Sequence, residues 1–329
     1  MNITIIIPTY NEEKRLEKCL KSIATQSVAD FTIKCIIVDD KSSDQTINIA
    51  KKYGVTILIS GKRDIEISKN IGLLHTETEL VCFLDADNWF PTTNWLMVAR
   101  EALRDNVDVI GAQSAWFELS KSDPLANQYC SLLGCMDPAV YYLGSRDRLT
   151  HAERVWRPAS SIVKENLGYW VVKIANEETK TYGSQGFLTF TEKAKLYAAG
   201  ARFYHTDYVL DNCINKNINL IILKTTIGHD GCADTKQLFK KLHRNILLFQ
   251  ESRDRKYKYH INRKKLFVIG IKLLTGVYPM IDALAGFVWG PKSIAWFMHV
   301  PISFGVGVMY ASIVVHSVIK KRLQQRAGL

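Results

Sequence analysis

Four aspartates carry the first chemical signal. Asp39-Asp40 closes one short apolar run, Ile33–Val38, and Asp85-Ala86-Asp87 closes another, Leu80–Leu84. Carboxylates gathered this closely repel one another unless a cation sits among them. Hard oxygen donors suit Mg2+ or Mn2+, ions that keep coordination positions open for phosphate oxygens. A single aspartate beside a strand also reads as a turn or cap residue. Asp44 reads that way, because Ser43-Asp44 opens a helix that ends near Tyr53-Gly54. The chain has no G-x-G-x-x-G and no G-x-x-x-x-G-K-[ST]. That argues against a dinucleotide dehydrogenase or a P-loop enzyme.

These aspartates need elements that bring strand ends to one edge. Ile3–Ile7, Ile33–Val38, Val55–Ile59 and Leu80–Leu84 are short β-rich runs without clean alternation, as strands covered on both faces should be. Between the first two, Leu16, Cys19, Leu20, Ile23 and Ala24 recur at helical spacing, with Asn11 as the expected N-cap and Glu12 and Glu13 in the first turn. Strand–helix alternation predicts a doubly wound α/β sheet. In such sheets ligands bind beyond the carboxyl ends of the strands, where the aspartates lie.

The segments IIIPTYNEE, IIVDDKSSDQT, SKNIGL and VCFLDADN, in this order and spacing, resemble inverting glycosyltransferases of the family-2 type with a GT-A fold. The resemblance covers roughly residues 1–230 and implies a GT-A-like doubly wound mixed sheet. In that family the proline-containing first turn and the first Asp of the second strand end hold the nucleobase. This carries over to Pro8, Tyr10 and Asp39, with Glu12 nearby. The Lys-Asn-x-Gly segment beside the nucleotide implicates Lys69 and Asn70. The D-x-D motif is Asp85-Ala86-Asp87, its second Asp the usual metal ligand and Asp85 shared between metal and nucleotide sugar. In related GT-A enzymes a His after a later strand completes the metal site, which points to His229 beyond Leu220–Leu223. A divalent cation, Mg2+ or Mn2+, bridging the diphosphate would stabilise the leaving nucleoside diphosphate as charge builds on it.

The acceptor half is less patterned. Tyr129–Val172, with Arg146, Arg148, Arg154 and Arg157, reads as an acceptor loop, an interfacial segment or an ordinary connection. Gly183-Ser184-Gln185-Gly186-Phe187 resembles the family's glycine turn before the acceptor-side strand, Leu188–Thr191. After a helix at Glu192–Ala199 comes Phe203-Tyr204-His205-Thr206-Asp207. The family usually has Glu-Asp at the last two positions, and its Asp takes the acceptor's hydroxyl proton. Asp207 matches; Thr206 departs. Asp211, one helical turn on, is the fallback base.

Composition bounds the rest. The chain of 329 residues is 47% hydrophobic and 23% charged, a globular balance. Its seven cysteines form no C-x-x-C pair, which favours a reducing compartment over a disulfide or zinc scaffold. The start, MNITIIIPTYNEE, lacks the basic and apolar regions of a signal peptide. Net charge is +11, but residues 253–265 carry +6 and Lys320–Arg326 a further +4. The remainder is nearly neutral, so no broad basic face exists for nucleic acid. Between the basic stretches, Leu266–Trp289 has only Lys272 and Asp282 as charges, and Ile294–Ile319 has no acidic residue, Lys or Arg. Each run is long enough, at about 1.5 Å per residue, to cross a bilayer core of roughly 30 Å. Basic outer flanks place both outer ends in the cytoplasm.

The expected organisation is a catalytic domain over 1–232, a basic juxtamembrane segment over 233–265, a transmembrane helical hairpin over 266–319 and a basic cytoplasmic tail over 320–329. The expected location is the cell membrane, multi-pass, with the catalytic domain cytoplasmic. The function implied is transfer from a UDP- or GDP-linked nucleotide sugar to a lipid-linked acceptor, with inversion. The alternative is a catalytically silent fold serving as a membrane scaffold or glycan-binding subunit.

Overall fold

Ile3–Ile7 alternates nothing because both faces of its strand are covered. In a computed structural model, which describes residues 1–146, 148–156, 161–174, 182–183, 185–200, 204–251 and 263–326, this run is the middle of β1 (Ile3–Thr9). Ile3, Ile5 and Ile7 face one core with Leu16, Cys19 and Leu20; Ile6 faces a second core with Val38 and Leu73.

The elements alternate through the first half. They are α1 (Leu16–Ala24), β2 (Ile33–Asp39), α2 (Thr46–Lys52), β3 (Thr56–Ile59), α3 (Ile65–Leu74), β4 (Leu80–Phe83), β5 (Asn88–Trp89), α4 (Trp95–Arg104) and β6 (Val109–Phe117). Then come α5 (Leu125–Leu133), α6 (Pro138–Leu143), β7 (Ile162–Glu165), β8 (Tyr169–Val172), β9 (Phe187–Phe190), α7 (Thr191–Gly200), α8 (His205–Asn215) and β10 (Asn219–His229). The chain continues with α9 (Thr235–Glu251), α10 (Arg263–Thr275), α11 (Val277–Trp289), a 3-10 turn (Ile294–Met298) and α12 (His299–Arg326).

The sheet order is β3-β2-β1-β4-β9-β6-β10-β8-β7. Its first four members are parallel, and β9 runs antiparallel between β4 and β6. Beyond them β6 and β10 are parallel, with β8 and β7 antiparallel at that edge. The sheet is mixed, as the resemblance implied. Register puts Thr9 opposite Asp39, so the first two strands end level.

Three expectations change. Asn11 does not cap α1, which starts at Leu16; Asn11 instead takes φ +54° in the turn after β1. Tyr129–Val172 is not an irregular stretch, since most of α5, all of α6, and β7 and β8 lie within it. Leu266–Trp289 is not one straight helix. It breaks at Gly276, whose φ of +71° ends α10, and Phe267–Thr275 and Val277–Trp289 meet at 70°. Pro279 follows in the first turn of α11, where its missing N–H costs nothing. By length and composition α12, together with the 3-10 turn before it, is the one unbroken helical stretch among the described residues able to cross a membrane.

A third core joins α5 to the C-terminal helices. Tyr129, Leu132 and Leu133 pack with Leu238 and Leu242 of α9, Leu273 of α10, Ala283 of α11, and Trp296 and Ile302. The basic residues 253–262, Arg157, Ser184 and Phe203 lie outside the described residues.

Candidate functional site

The turns after β1 and β2 interlock. Asn11 and Lys41 both take left-handed backbone, φ +54° and +61°. Asn11 Oδ1 accepts from the Ser43 N–H at 2.9 Å, and Ser42 Oγ accepts from the Asn11 N–H at 2.9 Å. Across this seam Asp39 is buried and held by the Thr9 hydroxyl (2.8 Å), the Ser42 N–H (2.8 Å) and the Ser42 hydroxyl (2.6 Å). Asp40 turns the other way. It accepts from Ser60 Oγ, from Ser68 Oγ at 3.2 Å and from the Lys62 N–H at 3.2 Å, bracing β3 against α3. Asp40 is therefore turned away from the edge where the other three aspartates stand at their strand ends. Asp44 accepts from the Thr46 N–H at 2.9 Å, the local role expected of it.

Pro8 is buried in β1 opposite Val38. Tyr10 is 40% exposed, with the Arg63 guanidinium over its ring at 4.8 Å. Such an uncovered ring beside a cation offers a stacking platform. Glu12 pairs with Arg15 at 2.6 Å. Burial holds the Glu12 carboxyl above its ordinary value despite that cation.

Helix α3 brings two charges to the next strand end. Asp64 caps it by accepting from the N–H groups of Glu66 and Ile67. One turn on, Lys69 is only 1% exposed, and its ammonium lies 3.0 Å from Asp85 Oδ1. Burial works against that ammonium, yet Asp85 and Glu66 outweigh it and raise its pKa. Asn70 Oδ1 is buried with no hydrogen-bond partner among the described residues. Glu66 takes the His205 ring at 2.9 Å and the His205 N–H at 3.3 Å. This docks the first turn of α8, and with it Asp207, against α3. Asp207 is buried. Asp211 accepts from Asn215 at 2.6 Å within its own helix.

Glu66 was not legible as a site residue, although it stands three before Lys69 on the same helical face. Burial pushes its carboxyl up, but His205 and Lys69 pull it down to about 2 from an ordinary 4.5. A depressed carboxyl stabilises the fold above the unfolded value and loses that contribution as pH falls through the folded one. The difference is worth about 3 kcal/mol. Glu66→Gln should therefore lower the melting temperature at pH 7. The gap to wild type should close as pH falls from 4.5 toward 2. Melts recorded across that range check it; a gap independent of pH would show that Glu66 is not held as a carboxylate.

The D-x-D turn and His229 are joined by backbone. β5 pairs antiparallel with the end of β10, His229 opposite Asn88 and Gly228 opposite Trp89. The Asp230 N–H donates to the Asp87 carbonyl at 2.8 Å. The result is His229 Nε2 at 3.7 Å from Asp87 Oδ2, with Arg15 at 3.5 Å on the same oxygen. Burial alone would raise the Asp87 carboxyl. His229, Arg15 and Lys241 outweigh it and hold Asp87 well below the usual carboxylate range. The His229 ring stacks on Phe117 at 5.2 Å. Its carbonyl accepts from Asn127 Nδ2 at 3.0 Å, and Asn127 Oδ1 accepts from the Gly231 N–H at 2.9 Å.

An imidazole nitrogen and a carboxylate oxygen this close are donor types that Mn2+ or Mg2+ takes. Among the described residues no group of three or more His, Cys, Asp or Glu is gathered to hold an ion. Asp87 and His229 fit as two protein ligands of an ion whose remaining positions would go to phosphate and water. Arg15 and Lys241, neither visible as site residues in the sequence, bring positive charge to the same place.

Gly228 makes this possible, since a Cβ there would fall 2.1 Å from the Trp89 ring. Gly228→Ala should separate β5 from β10, cost about 1–3 kcal/mol as overpacking does, and draw His229 away from Asp87. Thermal melts and nucleotide affinity test this together; an unchanged variant would mean that the ladder does not position His229.

The glycine turn before β9 lies beside these groups. Gly183 and Gly186 take φ of +84° and +80°. The Gly186 N–H donates to the Phe83 carbonyl at 3.0 Å, and Arg148 donates to the Gln185 carbonyl at 2.9 Å. Thus Asp39, Asp85, Asp87 and His229 stand at one carboxyl edge of the sheet, Lys69 reaches Asp85 from α3 with Asn70 next to it in the chain, and α8, which carries Asp207, is held to α3 by His205 and Glu66.

The family model described as Glycosyl transferase family 2 matches residues 4–150. Over 219 residues the chain is 26% identical to the poly(ribitol-phosphate) beta-N-acetylglucosaminyltransferase TarS of Staphylococcus aureus, covering 60% of this chain and 35% of that protein. It is 37% identical over 93 residues to the 4,4'-diaponeurosporenoate glycosyltransferase of Staphylococcus haemolyticus, 26% of this chain and 24% of that one. The chain thus spans about a third or less of the length of these curated relatives. Among solved structures, the mannosyltransferase PcManGT from Pyrobaculum calidifontis, in complex with GDP-Man and Mn2+, aligns with a TM-score of 0.52 at 14% identity. That alignment covers 94% of this chain and 86% of the other, a likeness of fold.

Proposed function

Residues 4–150 are a glycosyl transferase family 2 domain, and from that premise we propose that this protein transfers a sugar from a UDP- or GDP-linked donor to a lipid-linked acceptor. One observation carries the reading: the β5–β10 ladder sets His229 beside Asp87 on the edge that also carries Asp39 and the Lys69–Asp85 pair.

Each residue has a role in it. Pro8, Tyr10, Glu12 and Asp39 receive the nucleoside, and Lys69, Asn70 and Asp85 receive the ribose-diphosphate side. Asp87 and His229, joined by Asp85 once Lys69 releases it, would hold a divalent cation, Mg2+ or Mn2+, which would supply positive charge to the departing diphosphate. Asp207 receives the proton. The acceptor oxygen attacks the anomeric carbon from the face opposite the diphosphate. The carbon–oxygen bond to the diphosphate breaks with its electron pair, the acceptor proton passes to Asp207, and the configuration inverts. The C-terminal apolar helices hold the protein in the cell membrane, the catalytic domain on its cytoplasmic face, which is why the acceptor is lipid-linked.

Two observations favour a second reading. Lys69 already occupies Asp85, and Thr206 stands where the family carries a second carboxylate. A silent fold serving as a scaffold or glycan-binding subunit would tolerate both. The test uses membranes containing the full chain and a panel of labelled UDP- and GDP-sugars. Label moving into organic solvent supports transfer to a lipid. Binding without turnover or hydrolysis of any donor supports the silent fold.

A further inference from the structure

We infer that α10 and α11 form a re-entrant element in one leaflet, so that the turn Gly290–Ser293 returns to the face of the membrane on which the catalytic domain lies. The inference rests on the membrane reading above and changes its topology: at most one helix, α12, crosses.

The turn decides the matter. In a two-span hairpin the residues joining the spans sit on the far side, roughly 30 Å from the catalytic face. Here Ser293 Oγ donates to Gln128 Oε1 of α5 at 3.3 Å. A Cβ on Gly290 would lie 3.3 Å from the His151 carbonyl oxygen. The next residues of the 3-10 turn bury Ala295 and Trp296 in the core shared with α5. Helix α5 is also the helix whose Asn127 holds the backbone of His229 and Gly231. One end of the expected hairpin is thus a single helix away from the candidate site, and no bilayer fits between them.

The helices have the shape this requires. Each has 13 residues, about 20 Å at 1.5 Å per residue, and they meet at 70°. Their exposed side carries Phe267, Ile271, Leu274, Ile281, Leu284 and Trp289, while Leu273 and Ala283 face the protein. A broad apolar face of this kind, preceded by the basic stretch 253–265, fits an anionic bilayer surface. The two charges within the run both meet Tyr142 of α6. Asp282 accepts from the Tyr142 hydroxyl at 2.8 Å, and the Lys272 ammonium lies 5.2 Å from the centre of the Tyr142 ring. Both are half-buried beside Tyr142 of α6, so neither stands fully in lipid.

The test uses the full chain in sealed membrane vesicles of known orientation and a membrane-impermeant maleimide. Lys292→Cys reports the turn; Leu167→Cys, 97% exposed on the β7–β8 turn, reports the catalytic domain. Among the native cysteines six are buried and Cys35 is half-buried, so wild type gives the background. The expected result is labelling of both positions from the same side. Labelling of Lys292→Cys only from the opposite side overturns the inference, as does a position reactive in detergent but from neither face. A full chain that never sediments with membranes overturns the membrane reading itself. Sugar transfer, assayed separately, is untouched by any of these outcomes.

Discussion

Asp87→Asn lowers sugar transfer by about 100- to 1000-fold, the size of effect seen when one preorganised charge stabiliser is removed from an active site. The substitution keeps shape and hydrogen-bonding capacity and removes one negative charge. That charge is well supported in the folded protein: His229, Arg15 and Lys241 hold Asp87 ionised against the cost of burial. The amide keeps a neutral contact with His229 but would no longer supply the charge that helps to hold a divalent cation. Excess chelator should reduce wild-type turnover comparably. Initial rates for the variant, and for wild type with chelator, check the two halves separately. Full activity in chelator would remove the metal from the mechanism. Arg15 and Lys241 would then be the groups that neutralise the diphosphate, and Arg15→Ala would become the more damaging change.

Much of this edge was legible because the chemistry stands at the ends of strands that sequence reveals well. Apolar β-rich runs ending in acids placed Asp39, Asp85 and Asp87 at one edge before any coordinates did. The doubly covered strands also explain why alternation was missing, since Ile5 and Ile6 serve different cores. What escaped depends on long-range packing. Asp40 looks like Asp39 in sequence, yet the turn after β2 sends it toward Ser60 and Ser68. Arg15 reaches the site from the residue before α1, Lys241 from α9 and Asn127 from α5, and nothing local in the sequence points any of them there. The second half of α5 was lost in the stretch Tyr129–Val172, because nearly every residue of that helix is buried and no polar face marks its period. The single-helix reading of 266–289 failed at one glycine. Hydropathy sums over Gly276, while the left-handed backbone there turns the chain by 70°.

Asp207→Asn should cost about 100- to 10,000-fold in turnover with a hydroxyl acceptor, the usual contribution of a general base. A sugar hydroxyl stays protonated near neutral pH, so its proton must leave as the oxygen attacks. The asparagine preserves volume and hydrogen bonding and cannot take that proton. Donor affinity should hardly move, because the residues proposed to receive the nucleotide lie on β1 and the turn after it, β2, α3 and the β4–β5 turn, whereas Asp207 comes from α8. The effect therefore falls on kcat, and the pH–rate profile should lose the limb that reports the base. A phosphate acceptor gives a different result, since its oxygen is already charged and the substitution should cost far less. Comparing the variant with both acceptor types thus assigns the acceptor class as well as the base. Near-wild-type turnover with a hydroxyl acceptor would sink the assignment. Asp211, one turn along α8 and accepting from Asn215, would then be the base to test. The helix that carries Asp207 is seated by the His205–Glu66 contact. Glu66→Gln should therefore lower turnover in the same direction as Asp207→Asn but leave the limb of the pH profile in place, which separates the residue that positions from the residue that reacts.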